Sequence, residues 1–213
     1  MHRTFASLLA TCLLSTPSLA ETYSADVWAD NWFAMHVNGT KVAQDSVPIT
    51  TERSFNAESF RFQAQTPFTI GLIAKDFKEN DTGLEYIGSR RQQMGDGGVI
   101  LQIKDASGQT VAVSNKDWRC LVIHEAPLDK SCAKNRNPVA GQGACGFTAT
   151  AEPQGWSAAG FDDTHWIAAR EYSERDVRPK DGYDRIRWDR KAELIWGPDL
   201  ETNNTLLCRL TVN

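Results

Sequence analysis

The chain has 213 residues, of which 23 are Lys or Arg and 27 Asp or Glu, giving a net charge of −4, with five cysteines and seven tryptophans. An acidic balance without a basic run argues against nucleic acid or an anionic membrane as partner, since both need a cationic face. The length suits one sizeable β domain.

Residues 1–20 read as a secretory signal. His2 and Arg3 give a short positive start, Phe5 to Leu14 an apolar centre, and Ser18-Leu19-Ala20 a small-x-small cleavage site. The apolar run is too short to span a bilayer, so an integral membrane protein is not expected. Leu9-Ala10-Thr11-Cys12 loosely matches a lipoprotein box, but Thr11 is bulkier than the residue wanted before a lipidated cysteine. A secreted or periplasmic protein follows. Removing the signal takes one basic residue and no acidic one, which moves the net charge to −5.

The mature chain, 21–213, opens on strand periodicity. Phe33, Met35 and Val37 alternate with Ala34 and His36 and lead into Asn38-Gly39, a strong hairpin signal because both residues tolerate positive φ. Further candidate strands are Tyr23–Trp28, Thr40–Gln44, Val47–Arg53, Ser59–Gln63, Phe68–Lys75, Leu84–Ile87, Val99–Lys104, Thr110–Ser114, Trp118–Ile123, Trp166–Glu171, Ala192–Trp196 and Thr205–Val212. Asp105-Ala106-Ser107-Gly108 marks a second hairpin. No long window has helical period, although Glu52–Ala57 has room for one turn. Many short strands at this spacing predict an all-β, antiparallel sandwich in a single domain.

Cys120, Cys132, Cys145 and Cys208 remain after cleavage; in an exported chain an even number favours two disulfides, and no Cys-x-x-Cys spacing points to zinc. Three pairings are open; Cys120–Cys208 with Cys132–Cys145 is favoured. Residues 126–155 form a long, polar loop rich in Pro and Gly, which the second pair would staple.

The order of motifs resembles galactose-binding-domain-like jelly rolls. Ala29-Asp30-Asn31 with Val37-Asn38-Gly39 is similar to their opening, Phe68 to Ala74 to a central strand, and Asp117-Trp118-Arg119 to a strand start. Trp156, Phe161-Asp162-Asp163 and Trp166 are similar to their Trp…Phe-Asp-Asp-x-x-Trp segment. The resemblance implies a jelly-roll sandwich of the kind found in lectins and in accessory domains of glycoside hydrolases, and a carbohydrate or cell-surface glycan as ligand. It carries over no binding residue, because these are framework positions.

Chemistry is sparse. There is no Gly-x-Ser-x-Gly elbow, and nothing selects a catalytic carboxylate pair, so a non-catalytic protein is expected over a small secreted hydrolase. The acids at 162–163 read as turn-fixing side chains. For ligand contact the candidates are Trp32 beside a polar turn, and Tyr183, Arg187 and Trp188 in a segment mixing aromatics, Gly and charge. Calcium is the expected ion if one is bound, through Asp76, Asp81 and Asp96 in Gly-containing acidic turns, none with EF-hand spacing. The alternative is a copper or zinc site gathered from His36, His124 and His165. A protein partner is also compatible.

Overall fold

A computed structural model describes residues 20–213; the signal-peptide reading and Cys12 fall outside them, apart from Ala20. The strands are β1 (Glu21–Asp30), β2 (Trp32–Val37), β3 (Thr40–Gln44), β4 (Asn56–Ala64), β5 (Phe68–Lys75), β6 (Leu84–Glu85), β7 (Gln93–Met94), β8 (Gly98–Lys104), β9 (Thr110–Val113), β10 (Arg119–Glu125), β11 (Thr148–Ala149), β12 (Ile167–Ala168), β13 (Arg170–Tyr172), β14 (Leu194–Trp196) and β15 (Asn203–Val212). The one α-helix among the described residues, α1 (Glu174–Val177), is a single turn with Ser173 and Asp176 in a capping box.

Two antiparallel sheets face each other. One runs β13-β14-β8-β1-β4 with β9 beside β8; the other runs β11-β10-β15-β5-β2-β3 with β12 beside β10, and β6-β7 is a separate ribbon. The chain crosses between sheets repeatedly, as a jelly roll does. Between the sheets lies the core, which takes Val27, Phe33, Met35, Ile70, Leu101 and Trp118 at essentially zero exposure. The alternation read in β2 is therefore real: Phe33, Met35 and Val37 face the core.

Both outer faces are covered as well. Residues 156–166 lay Trp156 and Trp166 over Ala34, Ile73 and Leu207 of the second sheet. Residues 177–188 lay Val177 and Tyr183 over Trp28, Ile100 and Leu194 of the first. This second layer explains how a chain of this length buries so many tryptophans. The buried Arg209 fastens the first cover. Its guanidinium donates to the Trp156 and Ala158 carbonyls, and its Nε meets Asp163 Oδ2 at 2.8 Å. Asp162 accepts from the Thr164 amide. The Phe-Asp-Asp segment is thus structural, as its turn chemistry suggests.

Asn38 and Gly39 take φ of 47° and 86°, as the hairpin requires. The disulfides are Cys120–Cys208, joining neighbouring strands β10 and β15, and Cys132–Cys145, closing the long loop. That loop packs Cys132 and Cys145 against Leu84. Residues 47–53, expected as a strand, form turns instead: Ser54 Oγ accepts from the Thr50 and Thr51 amides, so local bonds replace a ladder. Among the described residues no helix is long and apolar enough to cross a membrane.

Candidate functional site: a buried acidic cluster and a cationic tryptophan platform

The chain leaves the first sheet at Asp30 and enters the second at Trp32, and Asn31 pins that crossing. Its amide donates to Lys75 O at 2.7 Å, its Nδ2 to Glu52 O at 3.0 Å, and its Oδ1 accepts from the Phe77 amide at 2.6 Å. Asp76 follows β5, and its amide donates to Asn204 O at 2.9 Å. Both aspartates are thus set by backbone bonds at one end of the sandwich. The β6-β7 ribbon adds Glu85, which accepts from Gln93 Nε2 at 2.8 Å, and Asp96 lies just beyond. Gly95 packs so tightly on Asp76 that a β-carbon there would run into the carboxylate.

Asp30, Asp76 and Glu85 are 1%, 3% and 2% exposed. Among the described residues, neither carboxyl oxygen of Asp30 or Asp76 has a hydrogen-bond partner. The cation that pairs with the cluster, again among the described residues, is Lys180, whose Nζ stands 3.6 Å from Asp30 Oδ2 and 3.3 Å from Asp96 Oδ2. Burial pushes Asp30 far above the usual carboxylate range, and the Asp96 charge adds to it against Lys180. Asp76 rises for the same reason, with Asp30 and Glu85 next in weight. Burial lifts Glu85 to about 7, opposed by the Gln93 bond. Burial lowers the Lys180 ammonium, yet Asp30 and Asp96 outweigh it and leave its pKa raised. The result is a patch of interior that favours protons or a cation.

Of the three acids proposed for calcium, Asp76 and Asp96 share this cluster and Asp81 does not. Asp81 bonds Lys78 Nζ at 2.6 Å and His124 Nε2 at 3.0 Å. Asp30, Glu85 and Lys180 were missed. Asp30 enters the sequence reading only within the framework motif Ala29-Asp30-Asn31, whereas Glu85, an acid inside the strand expected over Leu84–Ile87, is a signal the sequence offers.

The histidines are dispersed. His36 meets Trp156 edge-on at 5.6 Å, His124 bridges Asn204 and Asp81, and His165 sits on an exposed turn. Among the described residues no three His, Cys, Asp or Glu side chains form a group able to hold a metal by themselves.

The ligand candidates separate into two kinds. Tyr183 is interior: it meets Trp28 edge-on at 5.6 Å and donates to Glu174 Oε1 at 2.9 Å. Trp32 is half-buried under the Lys75 ammonium, 5.1 Å from its ring. Arg187 and Trp188 line a surface groove of roughly 670 Å³ together with Lys104, Asp189, Arg190 and Lys191. Gln102, fully buried, clamps this segment: its Oε1 accepts from the Asp189 amide at 2.6 Å and its Nε2 donates to Arg187 O at 3.3 Å. Trp188 is half-buried, backed by Tyr183 at 5.8 Å, and its Nε1 donates to Tyr183 O at 3.2 Å. None of Lys104, Arg187, Arg190 or Lys191 makes an ion pair among the described residues.

Compared with protein-family models, with curated proteins and with solved structures, the chain matches none.

Proposed function

We propose that the chain is an exported, non-catalytic β-sandwich of the galactose-binding-domain-like type that recognises carbohydrate on the Arg187–Lys191 surface. The observation that carries this reading is the preorganised Trp188, held by one hydrogen bond and one ring contact and sharing its groove with four cations that make no ion pair among the described residues. A sugar ring offers C–H faces to a flat indole, and a fixed platform loses little entropy on binding. The cations favour sugars that carry carboxylate or sulfate groups. Export is supported by the two disulfides, which persist in oxidising compartments. The test is a glycan array probed with the oxidised mature protein. Saturable signals concentrated on uronate-containing or sulfated glycans support the reading, and a blank array refutes it.

A further inference from the structure

The acidic end of the sandwich carries a separate inference, independent of any sugar. We propose that Asp30 and Asp76, with Glu85 and Asp96 around them, hold a hard divalent cation of the calcium–magnesium class. Two sealed carboxylates whose four oxygens have no hydrogen-bond partner among the described residues form a costly arrangement unless a positive charge meets them. Lys180 does not meet that need. It reaches one oxygen of Asp30 at 3.6 Å, leans on Asp96 instead, and has 41% of its side chain in solvent. No ion-pairing side chain reaches Asp76 among the described residues.

The donor set points to the ion class. All four groups are carboxylates, and neither histidine nor cysteine stands among them, which suits hard cations rather than copper or zinc. The side chains as placed do not form a three-donor cage. That is compatible with an ion taking water and backbone carbonyls for the rest of its shell, since magnesium is commonly anchored by one or two carboxylates. Glu85 and Asp96 deepen the negative field without needing to touch the ion. The Asp30 and Asp76 backbones are fixed by bonds on either side, so the pair is preorganised.

The experiment uses the mature protein freed of metal with chelator, then titrated with calcium and with magnesium, without sugar, by calorimetry and thermal melting. An ion at about 100 times its Kd raises Tm by roughly 5–10 °C. Asp76→Asn abolishes this rise, Asp81→Asn leaves it intact, and Lys180→Met, which removes the competing ammonium, tightens binding. If Asp76→Asn does not fold, Asp96→Asn at the rim takes its place and weakens binding by about tenfold or more. No response to either ion means that protons alone neutralise the cluster and overturns the proposal. So does a response that survives Asp76→Asn, one lost in Asp81→Asn, or, where Asp96→Asn is the variant used, an unchanged affinity.

Discussion

Replacing Glu85 by Gln separates the electrostatic account of the acidic end from a packing account. In the fold the carboxyl titrates at about 7, against an ordinary glutamate value of 4.5. The folded state thus binds this proton more tightly than the unfolded chain. The stability it contributes is complete below about pH 4.5 and is lost as pH rises through 7. That separation corresponds to about 3 kcal/mol, and to about 2 kcal/mol once residual screening of the charge is allowed for. Gln keeps an oxygen to accept from Gln93 and carries no charge at any of these pH values. Urea unfolding in chelator, for both proteins at pH 4 and pH 8, makes the comparison. The variant is expected to be about 2 kcal/mol more stable than the parent at pH 8 and within about 0.5 kcal/mol of it at pH 4. An equal difference at both pH values refutes the reasoning, because a packing effect does not titrate.

Arg209→Met removes the fastening of residues 156–163, leaving Asp163 and two carbonyls without their partner; a loss of about 3–5 kcal/mol is expected in urea unfolding, and less than 1 kcal/mol contradicts the role. Gly95→Ala drives a methyl into the Asp76 carboxylate and is expected to lower stability by about 1–3 kcal/mol, measured as a lowered Tm. Opening Cys120–Cys208, which spans 88 residues, costs about 4–5 kcal/mol by chain entropy, against about 3 kcal/mol for Cys132–Cys145, which spans 13. Paired Cys→Ala variants test that order by urea unfolding.

The sandwich was legible because its signals are local. The period-2 pattern of Phe33, Met35 and Val37 sets the core face, and Asn38-Gly39 sets the register of the hairpin. Loops were harder for a definite reason. Residues 47–53 have strand composition, but Ser54 captures the amides that a ladder would need. Tyr183 stands beside Gly and charged residues, which reads as surface, yet its ring fills the space over Trp28 once residues 177–188 fold back on the first sheet. Asp76 and Asp96 were legible as acids in turns, whereas Asp30 and Glu85 join them only through the strand crossing and the β6-β7 ribbon. Separations of that length leave no pairing signal in the sequence, although an acid within the apolar run around Leu84 marks Glu85 as unusual.

The most direct measurement of the central claim is the affinity of the mature protein for an acidic polysaccharide, compared with Trp188→Ala and Arg187→Ala variants whose fold is checked by circular dichroism. Saturable binding that falls at least tenfold in Trp188→Ala, about 1.4 kcal/mol or more, and that weakens with salt and in Arg187→Ala is the predicted result. Binding of equal strength in both folded variants, or no binding by the parent protein, contradicts the account.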